Sequence, residues 1–178
     1  MADDLFTWVL DGEHVYLGVL AIVISAGLHF AATRSRDMNV ALELLLMYSM
    51  GIAGFKGILS GFVMHFFFAD EIARSIGWAP GSPFQTEVAF SNLAIGVVGA
   101  ATFWRKDFWL PFIVVSTIMG WGAGFTHVRD MIDTGNVAAN NAGPVLYADF
   151  LMPLVRILLY VLYRRGSRGS AVMTQAAR

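Results

Sequence analysis

Five apolar runs, at residues 15–32, 44–68, 88–104, 108–126 and 145–163, alternate along the chain with short polar stretches. Each approaches the roughly 20 residues that carry an α-helix across about 30 Å of hydrocarbon. The pattern therefore predicts an all-α fold, a polytopic membrane bundle of five transmembrane helices. The third run is short and polar at its start. No internal repeat, low-complexity segment or long linker marks a second domain. The chain reads as one integral membrane domain over residues 1–178, with a flexible C-terminal tail at 166–178. The opening MADDLFTWVLDGEH is acidic and lacks the positive n-region and small-residue cleavage site of a secretory signal, so the first run is expected to be retained.

Basic residues orient the bundle, because short cytoplasmic loops keep an excess of Lys and Arg. Arg34 and Arg36 follow the first run, Arg105 and Lys106 separate the third from the fourth, and Arg164, Arg165, Arg168 and Arg178 follow the fifth. If the runs alternate, these share one side. The other side holds only Arg74 and Arg129, against Asp3, Asp4, Asp11, Glu13, Asp70, Glu71, Glu87, Asp130 and Asp133. The expected topology is N-terminus out and C-terminus in, in the cell membrane, or the inner membrane if the cell is Gram-negative. The outer loops would then face the periplasm or exterior.

Composition agrees with a bilayer as the surrounding medium: 57% hydrophobic residues, 14% charged residues and a mean hydropathy of +0.62 do not suit a soluble globule of this size. No basic run with interleaved aromatics is present, which sets nucleic acid aside as a partner. The absence of cysteine excludes disulfides, thiolate metal sites and thiol catalysis.

Polar chemistry concentrates in the outer loop at residues 65–92, HFFFADEIARSIGWAPGSPFQTEVAFSN. Residues 70–76 are expected to continue the second helix or to form a short surface helix, and Trp78 to sit at headgroup level. Residues 79–83 read as a compact turn, two prolines fixing φ around a glycine. Ser82 or Thr86 can cap the third helix, with Glu87 in its first turn favoured by the helix dipole. A second outer loop at 128–144, with Asn136, Asn140 and Asn141 beside Gly135 and Gly143, is expected to fold over or beside the first as a lid.

Charge inside the runs is the strongest chemical signal. Lys56 lies near the middle of the second run and Arg156 near the middle of the fifth, where an ionisable group costs on the order of 3 kcal/mol even on the lenient insertion scale. Asp149, Pro153, Arg156, Tyr160 and Tyr163 share one helical stripe. Two readings follow. Either each cation pairs with Asp149, Glu87 or Glu43 to pin helix packing, or the cations build a buried anion, carboxylate or proton site. The ligand-binding candidates are Lys56, Gln85, Glu87, Asn92, Asp149 and Arg156.

Small residues mark close helix approach. Gly51, Gly54, Gly57 and Gly61 line one arc of the second run; Ser49, Ala53, Lys56 and Ser60 line the other, which makes this helix central. Ser116, Gly120 and Gly124 lead to His127, and Asn92, Gly96 and Gly99 share a face of the third run. His14, His65 and His127 fall at outer ends of runs, whereas His29 stands isolated near an inner end. His65, Glu71, Glu87, His127 and Asp130 are the catalytic candidates for acid-base work, and His65, Glu87 and His127 are weak metal candidates. No HxxxH, HExxH or ExxH spacing supports a metal, and haem held by His65 and His127 is weaker still.

The segment 76–96, IGWAPGSPFQTEVAFSNLAIG, resembles an integral-membrane family of bacteria and archaea that has no assigned activity. The likeness rests on the IGW, GSPFQ, EV and NL-x-x-G elements, with a looser one at WGAGFTH and NAGPVLYADF. It implies a small polytopic membrane fold and carries no catalytic assignment. Function is left between three expectations: binding or passage of a small solute, anion or proton through a polar pocket under the outer loops; an outer-leaflet enzyme using His and carboxylate or metal chemistry; and an accessory subunit, or homo-oligomer, within a larger membrane complex.

Overall fold

A computed structural model describes Gly12 and residues 14–176, with side chains through residue 167. Asp3, Asp4, Asp11, Glu13 and Arg178 lie outside the described residues. Every regular element among the described residues is a helix: α1 (His14–Thr33), α2 (Met38–Phe67), α3 (Ala69–Ile76), α4 (Phe84–Ala101), α5 (Trp109–Thr134), the single turn α6 (Ala139–Ala142) and α7 (Pro144–Ala176). A 3₁₀ turn at Lys106–Phe108 leads into α5.

Four stretches are long and apolar enough to cross a membrane: His14–Thr33, Met38–Phe67, Lys106–Thr134 and Ala139–Ser167, of 20, 30, 29 and 29 residues. The third predicted run becomes α4, an 18-residue helix that carries Glu87 and Asn92 and is not one of the four. On α1 only Ile22 and Ala26 are buried, while Tyr16, Leu17, Leu20, Val23 and Leu28 stand exposed. Such a face suits hydrocarbon and not water.

The ends of the helices differ from the hydropathy pattern for local reasons. α2 starts six residues before its apolar run because Asp37 caps it, its Oδ1 accepting the Asn39 N–H at 2.9 Å. α4 starts at Phe84 without a hydroxyl cap. Pro83 holds the cap position with φ −64°, already helical, so the expected role of Ser82 or Thr86 is replaced by the Ser82 carbonyl, which accepts from Gln85 N at 3.2 Å. Residues 128–134, expected within a loop, are instead the last two turns of α5. Nothing between Gly124 and Gly135 breaks the helix, and Gly135 ends it with φ 74°.

Inside α2 the winding changes. Gly57–Phe62 form a π-helical turn, closed by a bond from the Val63 N–H to the Ile58 carbonyl five residues back. The helix then stops at Phe68 (φ −129°, ψ 41°), and α3 turns away to bury Ile72, Ala73 and Ile76 with Met64.

α2 is the central helix. It packs on α1, α4 and α7, and α5 packs on α7. The α2–α4 contact is a backbone contact: a Cβ on Gly54 would run into the main chain of Gly99 and Ala100, and one on Gly57 would meet the Gly96 Cα at 3.3 Å. α5 and α7 use the same device, with Gly120 facing the Asp149 carbonyl and Gly124 facing the Phe150 ring. At one end, the basic end, Leu46, Met50, Trp109, Phe112 and Ile113 form a fully buried cluster. There Lys106 Nζ meets Glu43 Oε1 at 2.6 Å, and the Tyr163 hydroxyl donates to Glu43 Oε2 at 3.2 Å. Arg34, Arg105, Arg164 and Arg165 lie at this end, on the α1–α2 link, the α4–α5 link and the last turns of α7 with a described side chain.

Gly54→Leu should therefore lower stability by on the order of 3 kcal/mol, since the added side chain can only separate α2 from α4. Gly18→Ala, where no atom stands within 4 Å of the added Cβ, should leave it unchanged or slightly raised. Denaturant unfolding of the two variants in detergent micelles distinguishes these outcomes.

Candidate functional site

At the end opposite the basic residues, two segments close over the bundle. α3 ends in Gly77, whose φ of 84° lets Trp78 N–H return to the Ala73 carbonyl at 2.8 Å and Gly77 N–H to Arg74 at 3.0 Å. A side chain at Gly77 would strike Asn136, and the space it vacates lets Asn136 Nδ2 donate to the Ile76 carbonyl at 2.8 Å. Asp70 Oδ1 accepts Gly81 N–H at 2.8 Å, folding the 77–83 turn back on α3. The two polar loops of the sequence thus meet directly.

Asp130 ties them together. Its Oδ2 accepts from Trp78 Nε1 at 3.0 Å and from Asn136 Nδ2 at 2.7 Å, and its Oδ1 from Thr134 Oγ1 at 3.3 Å. So held, the Trp78 indole stacks on the His127 imidazole, with ring centroids 5.5 Å apart and planes 19° from parallel. Trp78 faces inward over the end of the bundle, because its N–H finds the Asp130 carboxylate there.

Beneath this cap lies a cavity of about 840 Å³ between α2, α4, α5 and α7. Lys56, Gln85, Asn92, Asp149 and Arg156 all line it, as do His65 and His127. Glu87 does not: it is exposed on the outside of α4. Glu71 and Asp130 also lie off the cavity wall, and Glu43 is held at the basic end by Lys106. Of the carboxylates proposed as partners for the buried cations, Asp149 alone shares their space.

The deep part holds three charges. Lys56, on the turn before the π-helical segment, lies within electrostatic range of Asp149 and Arg156. No two of the three form an ion pair within 4.0 Å among the described residues. Arg156 is 7% exposed, yet its guanidinium makes one hydrogen bond, from Nη2 to the Ser49 carbonyl at 3.5 Å, and its Nε has no partner. The Phe112 ring lies 5.6 Å from its Cζ. Pro153, one turn beyond Asp149 on α7, has no N–H and so leaves the Asp149 carbonyl without its helical donor, against Gly120.

Nearer the cap, both histidines have their orientation set. His65 Nδ1 lies 2.7 Å from Gln85 Oε1 and donates to it. His127 Nδ1 donates to Asn141 Oδ1 at 2.8 Å, and Asn141 is itself oriented by donating from Nδ2 to the Asn136 carbonyl at 2.8 Å. In the neutral ring each Nε2 is then the acceptor. Among the described residues no three His, Asp or Glu side chains converge as a metal-holding group. His29, read as isolated, contacts the Tyr48 hydroxyl at 3.2 Å.

Fold and site together define a helical protein of membrane-spanning character, with a charged cavity inside the bundle and a hydrogen-bonded cap over one end. The chain belongs to DUF6790, a family of unknown function, whose match covers residues 13–169. No curated protein and no solved structure matches the chain.

Some parts of the site lie beyond what sequence spacing reveals. Trp78 and Asp130 are 52 residues apart, and the His65–Gln85 pair joins two helices across a turn. Asn141 reads as a turn residue in sequence, yet it is fully buried and holds His127.

Asp130→Ala should release Trp78 and Asn136 together and loosen the cap, because both donors lose the same charged acceptor. Amide exchange at Gly77 and Trp78 should rise by about tenfold or more. Asp133→Ala removes only an exposed pair with Arg129 at 3.2 Å and should leave that exchange unchanged.

Proposed function

We propose that the protein crosses the cell membrane five times, N-terminus out and C-terminus in, and that its cavity binds or passes a small solute, anion or proton reached from the capped outer face. The supporting observation is the placement of Lys56, Asp149 and Arg156, from two helices, around one cavity with no ion pair between them. Charges that serve only to pin helices have no need of a space between them. The fifth span is α4: its 18 residues extend about 27 Å, close to the hydrocarbon thickness, and its polar face turns towards the cavity through Gln85 and Asn92. Intramembrane charge facing a cavity is the usual mark of a ligand or ion path.

A second reading draws on His65 and His127, which line the same cavity with Nδ1 already engaged and Nε2 left as acceptor. That arrangement suits acid-base chemistry on a substrate entering beneath the cap. A His127→Ala strain with undiminished activity on such a substrate, or metal-free protein that retains full activity, separates the acid-base and metal forms of this reading.

The chain has no cysteine, so single cysteines report topology directly. Ser82→Cys should react with a membrane-impermeant maleimide added to intact cells, and Asp107→Cys only after permeabilisation; the reverse pattern inverts the proposed orientation. In proteoliposomes tested with protons, chloride, amino acids and monocarboxylates, Lys56→Ala should depress binding or flux of the accepted solute by about tenfold or more. Wild-type behaviour of Lys56→Ala across that panel removes the cavity from the transport path.

A further inference from the structure

Resting on the reading of the cavity as a ligand site, we propose that its ligand is an organic monocarboxylate, with the carboxylate between Arg156 and Lys56 and the apolar body against Phe112, Ile95 and Met119.

The charge count comes first. Two cations and one carboxylate line the cavity's deep part, a formal excess of one positive charge. Among the described residues no other carboxylate supplies the balance. Glu43 is bound to Lys106 and Tyr163, Asp130 to Trp78 and Asn136, and Glu71 and Glu87 stand off the wall. A monoanion neutralises the site, whereas a dianion would overshoot it.

The donors come second. An arginine offers five N–H groups in a planar fork, and buried guanidinium groups normally satisfy them. Here one is used, at 3.5 Å, and Nε has no partner in a side chain only 7% exposed. The Lys56 ammonium makes no hydrogen bond or ion pair among the described residues. A carboxylate matches such a fork in shape and charge.

Size and lining favour an organic anion over a bare inorganic one. The cavity of about 840 Å³ has the capacity of sites that enclose whole organic ligands. A chloride at Arg156 would leave most of the space beside Phe112, Ile95 and Met119 unfilled. An acid with a hydrocarbon or aromatic body fills both parts.

The test uses the full chain in nanodiscs and equilibrium dialysis of radiolabelled hexanoate, adipate, hexanamide and 1-hexanol, with empty nanodiscs as the blank. Hexanoate should bind saturably and about tenfold or more tighter than hexanamide or adipate. Arg156→Gln should abolish that preference while 1-hexanol still binds. Equal binding of hexanoate and hexanamide by the wild type overturns the proposal and leaves the cavity as a site for neutral solutes; adipate binding as tightly as hexanoate overturns the monoanion. Persistence of the preference in both Arg156→Gln and Lys56→Gln overturns the assignment of the carboxylate to these cations. If Arg156→Gln does not fold, the wild-type comparison still decides. Failure of all four probes overturns the monocarboxylate assignment, and the wider solute panel then decides whether the cavity is a ligand site. Displacement of hexanoate by palmitate carried in the nanodisc lipid supports a lipid-derived acid, and no displacement supports a soluble one.

Discussion

The backbone contact between α2 and α4 is the constraint on which the rest of the structure depends. Without Cβ atoms at Gly54, Gly57, Gly96 and Gly99 the two helices meet main chain to main chain. That consumes one whole face of α2. The opposite face, with Ala53, Lys56 and Ser60, is left to α5 and α7, which are held together by their own glycine contacts at Gly120 and Gly124. Tight closure on one side of α2 and a cavity on the other are two results of the same division of small residues.

The π-helical turn at Gly57–Phe62 completes this division. On an uninterrupted α-helix, His65 would lie about half a turn away from Lys56, because nine residues at 3.6 per turn make two and a half turns. A turn closed by five-residue bonds winds through fewer degrees per residue, and it brings His65 round to the cavity that Lys56 also lines. Glycines at 57 and 61 make the insertion tolerable, with Asn92 packed where a side chain at Gly61 would stand. One irregularity therefore links the deep charges to the histidines under the cap.

Much of this was legible in the sequence, and the remainder was not for definite reasons. Apolar runs and small-residue faces are local periodicities, so the helices, the two faces of α2 and the Ser116–Gly120–Gly124 ridge could be read directly. Mid-run cations announce themselves by their cost. Partner choice is a different matter, since it depends on which helix ends share an end of the bundle. Glu43 was a reasonable partner for Lys56 until the fold placed it beside Lys106, and Glu87 was equally reasonable until α4 turned it outward. Trp78 looks like an interface residue by type; only the position of Asp130, across 52 residues, shows why it faces in. The polar end of α5 looks like loop by composition, but helix termination needs a residue able to end it, and that residue is Gly135.

The structure also contains its own standard for judging the buried charges. At the basic end Lys106 shows what a cation with a packing role looks like: a carboxylate oxygen at 2.6 Å, a tyrosine hydroxyl at 3.3 Å, and the Trp109 and Tyr163 rings within 6 Å. Lys106 is more than half exposed at its side chain, where water could satisfy it without help. Arg156, buried, needs partners more and has fewer: one long bond, one ring and an orphaned Nε. Desolvation makes an uncompensated cation costly wherever it sits, and more so in a low-dielectric interior. A protein that completes the coordination of a surface lysine, and leaves that of a buried arginine open onto a cavity, has the form expected of a site that a ligand completes.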